Sequence, residues 1–250
     1  MKVKKILIIF IGVLLLSCDK ENANDCFQKT GAIISQEITV ANFTKIKVNR
    51  DVELILKEGA VQKVVLETGG NLLNDVSAVV NGDQLVLTDN NICNYIRDYN
   101  VTKIYVTSPN ITEIISSTQF QISSDGILNY TAIDILSEDY HDSSIIAVGV
   151  INLALNSQAV RVVGNNLTSF NLNGITETLN VSFAAGDGVF NGENLIANEV
   201  TVFHRGTNNI IVNPQNELKG KLVSTGNLIS VNQPPIVNVE VLYTGSLIFQ

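Results

Sequence analysis

The chain has 250 residues and carries 24 acidic against 16 basic side chains. Three of the basic ones, Lys2, Lys4 and Lys5, fall in the first five residues, so the part after residue 17 holds 13 basic against 24 acidic groups, a net charge of −11. Affinity for nucleic acid rests on neutralising phosphates, and with no run of Lys or Arg to offset this balance, nucleic acid is excluded as a partner.

The basic head Met1–Lys5 runs into the apolar stretch Ile6–Leu16, which ends at Ser17-Cys18. That is the three-part layout of an export signal. Its apolar core is well short of the roughly 20 residues that cross a bilayer as a helix, so residues 1–17 are expected to be cleaved. The sequence Leu15-Leu16-Ser17-Cys18 resembles a lipobox. That resemblance implies that Cys18 is acylated and heads the mature chain, with a membrane as its partner; the alternative is an ordinary signal with an incidental Cys. Several acyl chains anchor firmly, because each buried methylene contributes about 0.8 kcal/mol. Asp19-Lys20-Glu21 and Asn22–Asp25 are too poor in apolar residues to fold alone, so residues 18–35 are read as a lipidated N-terminus and flexible tether. With Cys18 committed to lipid, Cys26 and Cys93 remain, and an oxidising compartment favours their pairing. Such a bridge would close a loop of about 70 residues, for roughly 3 to 5 kcal/mol. Two free thiols are the alternative.

From about residue 36 the apolar residues recur with a period near two and are rich in Val, Ile, Thr and Phe, which predicts strands. Thr44–Val48, Val52–Leu56, Val64–Glu67 and Gln84–Thr88 are the clearest, separated by Gly59, Gly69-Gly70, Asn81-Gly82-Asp83 and Asp89-Asn90-Asn91. Farther on, Gly186, Gly206, Gly226 and Gly245 are spaced by 20, 20 and 19 residues, each between two apolar segments. Ile111–Ile114, Ala132–Ile135, Val150–Leu153 and Leu167–Phe170 step along at a similar interval. A unit of this size cannot bury its own apolar face, whereas stacked units share one core. The expectation is an all-β chain whose residues 36–250 form a single β-solenoid domain with rungs of about 20 residues and glycines at the rung corners; a β-sandwich is the competing fold. The apolar segment Leu247–Phe249 is expected either to be covered by a loop or to pair with another copy.

At Asp25-Cys26-Phe27, at Cys93-Asn94-Tyr95-Ile96-Arg97-Asp98-Tyr99, and at Asn213–Leu218 with Ser224–Asn227, the chain resembles the auto-transporter adhesin, head GIN domain family of Gram-negative lipoproteins. The resemblance spans roughly residues 25–250 and is thinnest from about 115 to 180. It implies a parallel right-handed β-helix and an adhesive or envelope-associated role, and it brings no catalytic residues.

Glu138-Asp139-Tyr140-His141-Asp142 is the densest ionisable group, and carboxylates beside a His suit metal or acid/base chemistry. Consecutive residues in a turn point apart, however, so a solvated turn is expected. His204, beside Gly206, reads as a surface residue, and Gly186-Asp187-Gly188 lacks the periodic Asp of calcium-binding repeats. No metal, cofactor or catalytic residue is expected. Tyr95, Arg97 and Tyr99 could form a contact surface, since Tyr and Arg are enriched at interface hot spots, or simply a packed corner around the disulfide. The chain is therefore read as a non-catalytic lipid-anchored envelope or surface protein, an adhesin or binding module with a glycan or protein ligand on the solenoid face; the alternative is a carbohydrate-active β-helix enzyme.

Overall fold

A computed structural model of the chain describes residues 25–91, 93–99 and 101–250. The expected signal segment, the lipidation site Cys18 and the first part of the tether lie outside the described residues. Among the described residues helix is confined to two single turns, Asp25–Phe27 and Leu73–Asp75; everything else regular is strand. The strands are β1 (Ile33–Ile38), β2 (Lys45–Val48), β3 (Glu53–Glu58), β4 (Lys63–Gly69), β5 (Val76–Asn81), β6 (Gln84–Asp89), β7 (Lys103–Ser108), β8 (Glu113–Ser116) and β9 (Gln121–Leu128). There follow β10 (Ala132–Ser137), β11 (Val150–Gly164), β12 (Ser169–Phe183), β13 (Val189–His204), β14 (Ile210–Leu222), β15 (Leu228–Ser230), β16 (Ile236–Val241) and β17 (Leu247–Phe249). All seventeen belong to one hydrogen-bonded sheet with mixed pairing.

The long strands β11 to β14 pair parallel to one another, and in their first halves the register steps by 19 to 20 residues: Ile151 lies beside Phe170, Phe170 beside Phe190, and Phe190 beside Ile210; irregularities then change the step, so that Phe183 lies beside His204 and His204 beside Leu222. This explains the glycine spacing, because a residue stacks on its equivalent one strand later. Each long strand takes part in two ladders. Its first half continues through β9 to β3 and β7, and its second half through β10 and β8 to β2 and β6. The inward side chains form two facing columns. One runs Ile104, Leu54, Ile122, Ile151, Phe170, Phe190, Ile210; the other runs Leu85, Ile46, Ile114, Ile135, Val162, Val181, Val202. All of these are buried, and together they form the core. Alternation of inward and outward residues produces this, unbroken in β6, where every second residue is buried, and interrupted between the two halves of β11 and β12.

The first half departs from sequential stacking. β2 lies between β6 and β8, and β3 between β7 and β9, so the earliest parallel coil is sandwiched by two later ones. The chain reaches the far side of that coil through antiparallel strands: β4 pairs with β1 and β7, and β5 forms a hairpin with β6 through Gly82-Asp83, where Gly82 has φ 66°. Ordered structure also begins before residue 36, because β1 starts at Ile33 against Gly69. At the other end β16 and β17 pair with β14 and β15, and Leu242, Tyr243 and Ile248 are exposed.

Candidate binding cleft beside the disulfide

β6 ends on Asp89, whose carboxylate is buried and fully engaged. Its Oδ1 accepts from the backbone N–H of Asn91 (2.8 Å) and from Asn91 Nδ2 (2.7 Å), and its Oδ2 accepts from the Thr102 hydroxyl (2.6 Å). The Thr102 hydroxyl lies 2.8 Å from that of Thr68, so the ends of β4 and β6 and the residue preceding β7 share one polar knot. Asn91 Nδ2 also donates to the Leu72 carbonyl (3.1 Å). Both contacts of that nitrogen are with acceptors, which fixes the orientation of the amide. Asn91 Oδ1 is then left buried without a hydrogen-bond partner.

The segment 93–99 forms the outer wall. Asn94 folds it by accepting from the Arg97 N–H (2.9 Å) and donating to the Arg97 carbonyl (2.7 Å). The Arg97 guanidinium donates to the carbonyls of Asn91 (2.9 Å) and Gln28 (3.4 Å). Cys93 is joined to Cys26 by a disulfide, the Tyr95 N–H donates to the Cys26 carbonyl (3.0 Å), and the Phe27 and Tyr95 rings sit 5.6 Å apart. Arg97 is thus a clamp between the N-terminal segment and the loop, while Tyr95 and Tyr99 remain about three-quarters exposed. The facing wall is the turn at Asp51, a non-glycine residue at φ 66°, which exchanges hydrogen bonds with Gln119 next to Phe120. Burial pushes the Asp51 carboxyl above its ordinary range, against the Gln119 hydrogen bond, and the charge of Asp89 adds to the rise. Between the walls lies a cleft of about 290 Å³ whose lining includes Asp51, Asp89, Asn91, Tyr95, Arg97, Asp98, Tyr99 and Phe120.

The sequence placed the other candidates with mixed success. Gly186, Gly206, Gly226 and Gly245 do sit in stacked turns, linked by Thr207 N–H to Gly186 O, Gly226 N–H to Gly206 O and Gly245 N–H to Ser224 O. A Cβ on Gly226 would come within 2.2 Å of His204 Nε2 and 2.4 Å of Asn208 O. His204, expected at the surface, is buried: it occupies the inward register position between Phe183 and Leu222, with its ring 6.2 Å from that of Phe183. Its Nδ1 accepts from Gly206 N–H (3.2 Å), so Nε2 carries the proton donated to Asn208 O (2.7 Å). Burial lowers the His204 pKa.

The group at 138–142 is a turn, yet Glu138 is buried within it and accepts from the N–H groups of Tyr140 (2.7 Å) and His141 (3.2 Å). Asp142 points elsewhere. Its carboxyl is held down at about 2, first by the Ser144 hydroxyl and N–H and then by Lys47. Among the described residues no three His, Cys, Asp or Glu side chains are grouped to hold a metal ion. The outer face of β11 to β13 bears a ladder of Asn152, Asn171 and Asn191, with Asn171 Nδ2 donating to Asn152 Oδ1 (2.8 Å).

These observations define an all-β protein of stacked parallel strands with an antiparallel edge and a small polar cleft where a disulfide ties the N-terminal segment to the sheet. Residues 42–234 match the family described as "Putative auto-transporter adhesin, head GIN domain", and the chain belongs to that family. No curated protein matches the chain at a significant level. Among solved structures, a putative adhesin from Bacteroides fragilis is similar at 18% identity with a TM-score of 0.78, over 89% of this chain and 99% of that one. A putative adhesin from Parabacteroides merdae is similar at 14% identity with a TM-score of 0.61, over 89% and 98%. A "Putative lipid binding protein" from Parabacteroides distasonis is similar at 14% identity with a TM-score of 0.60, over 88% and 98%. At these identities the likeness concerns the fold.

Proposed function

We propose that the protein is a non-catalytic binding module held in the cell envelope by lipid on Cys18, and that the cleft beside the disulfide is the surface it presents. The observation that carries this reading is the construction of segment 93–99. It is pinned by a disulfide, by the Arg97 clamp and by the Asn94 turn, and yet it leaves two large aromatic side chains exposed at a cleft. Rigid exposed aromatics on a fixed scaffold are what binding surfaces use. A non-catalytic role is supported by the state of Asp89, whose two oxygens are both occupied by internal donors and so are not poised as acid or base. The adhesin names of the family and of two structural neighbours accord with a binding role at the envelope or cell surface.

The registers of β11 to β14 support reading the coils from β8 onward as a parallel β-solenoid, with the right-handed crossover that parallel connections favour. The lipid anchor is supported by the lipobox-like sequence before Cys18. Eight residue steps separate Cys18 from Cys26, which at about 3.5 Å per residue limits the tether to about 28 Å. The disulfide and its cleft would therefore stay close to the membrane.

Metabolic labelling with an alkynyl palmitate tests the anchor. The wild-type chain is expected to take the label and to fractionate with membranes, and Cys18→Ala to do neither. Label on Cys18→Ala, or none on the wild type, would overturn the anchor.

A further inference from the structure

We propose that the surface around the disulfide docks on the lipid bilayer itself, with Phe27, Tyr95, Ile96 and Tyr99 resting in the headgroup layer of the membrane that Cys18 enters. This deepens the binding-module reading and rests on its lipid anchor. The four side chains are between about half and three-quarters exposed. They belong to one patch: the Phe27 and Tyr95 rings sit 5.6 Å apart, Tyr95 and Tyr99 line the same cleft, and Ile96 lies between them on the turn that Asn94 closes. Exposed apolar side chains gathered in this way mark a protein or a membrane partner.

The tether decides between the two. Cys26, bonded to Cys93 and accepting from the Tyr95 N–H, stands eight residue steps from Cys18, so the patch begins within about 28 Å of the lipid. The last coil, where Leu242 and Tyr243 are also exposed, lies at the other end of the stack. The disulfide loop joins β6 to β7, and β17 is eight strand spacings from β7, or about 38 Å. The anchor thus holds the disulfide surface at the bilayer, where docking is an intramolecular step that a free partner has to outcompete.

The side chains suit that place. Tyr has an apolar body and a polar tip, and it is enriched where hydrocarbon meets water. Charge defines how the patch would dock. Asp51, Asp89 and Asp98 line the cleft with Arg97, and Asp25, Lys29 and Arg50 adjoin it in the chain, which leaves no positive surplus. Docking therefore relies on the apolar side chains and needs no anionic lipid.

The chain has no Trp, so single Trp substitutions report on position. Ile96→Trp, Tyr99→Trp and, at the far end, Tyr243→Trp are each made in the full lipidated chain, which is reconstituted into phosphatidylcholine vesicles and floated on a density gradient. All three positions are exposed, so the variants should melt like wild type. Phosphatidylcholine brominated on its acyl chains near the headgroup quenches nearby Trp. It is expected to cut the emission of Ile96→Trp and Tyr99→Trp about twofold or more, as for side chains at the headgroup boundary, and to leave Tyr243→Trp unchanged. The quenching should persist in about 0.5 M salt. A floated chain in which Ile96→Trp or Tyr99→Trp escapes quenching, equal quenching of Tyr243→Trp, or loss of quenching in salt would overturn the docking while the anchor stood. A blue-shifted emission that brominated lipid does not quench would put another protein surface, such as a second copy, on the patch and would overturn the docking as well. A wild-type chain that carries no lipid and does not float would remove the anchor and the docking together.

Discussion

Replacing Gly226 by Ala tests whether the glycine register reflects stacked turns in contact or a coincidence of spacing. The added Cβ would lie 2.2 Å from His204 Nε2, 2.8 Å from His204 Cε1 and 2.4 Å from the Asn208 carbonyl oxygen. The first two belong to a ring buried against Phe183, and the third is backbone already accepting from that ring, so relief requires breaking the Nε2–H to Asn208 hydrogen bond. Overpacking of this kind costs about 1 to 3 kcal/mol, and the backbone partner places Gly226 near the top of that range. For a chain of this size each kcal/mol shifts melting by about 2 to 4 °C, so a fall of roughly 6 to 12 °C is expected. At Gly206 the nearest atoms are at 3.0 and 3.1 Å, and Gly206→Ala should cost about a third as much. At Gly70 the nearest atom is at an ordinary 3.4 Å, and Gly70→Ala should be neutral or slightly stabilising through the unfolded chain. Thermal unfolding of the three variants gives the order directly. Gly226→Ala melting within about 1 °C of wild type, or Gly70→Ala falling as far, would refute the reasoning.

The remaining predictions concern other layers of the structure. His204 has a folded pKa below its unfolded value of about 6.5, so its contribution to stability is present above pH 6.5 and is lost as pH falls toward the folded pKa. Urea unfolding at about pH 7.5 and 5.5 should show this loss in wild type and a smaller one in His204→Leu, which mimics Leu222 at the same register. Reducing the Cys26–Cys93 bridge should cost about 4 kcal/mol in denaturant midpoint analysis, since it closes a loop of about 70 residues; no loss of stability would count against that bridge. Phe190→Ala should cost about 3 to 5 kcal/mol in the same assay, because Phe190 is fully buried between Phe170 and Ile210.

The second half of the fold was legible because parallel stacking makes the sequence repeat at the same interval as the structure: Gly186, Gly206 and Gly226 recur because each turn rests on the previous one. The first half was not, since alternation marks a strand and its inward face but not its partner or direction. Ile46 and Leu54 alternate correctly in either topology, and only long-range pairing places their strands between later coils. His204 and Glu138 were misjudged because local polarity says nothing of satisfaction by backbone groups, which is what permits their burial. Tyr95, Arg97 and Tyr99 were visible through a motif, but Arg97 proved to be a clamp. Asp51, Asn91 and Phe120 went unnoticed because the cleft joins segments far apart in sequence. The turn chemistry of Asp89-Asn90-Asn91 was a signal for the loop and not for the buried acceptor it creates.

The most direct test of an envelope-anchored module is protease accessibility in the native host, followed by immunoblot on intact cells, on cells with a permeabilised outer membrane, and on lysed cells. The account predicts digestion before the inner membrane is breached, with digestion of intact cells placing the module on the surface and digestion after permeabilisation placing it in the periplasm. Resistance until full lysis would put the chain in the cytoplasm and contradict the account.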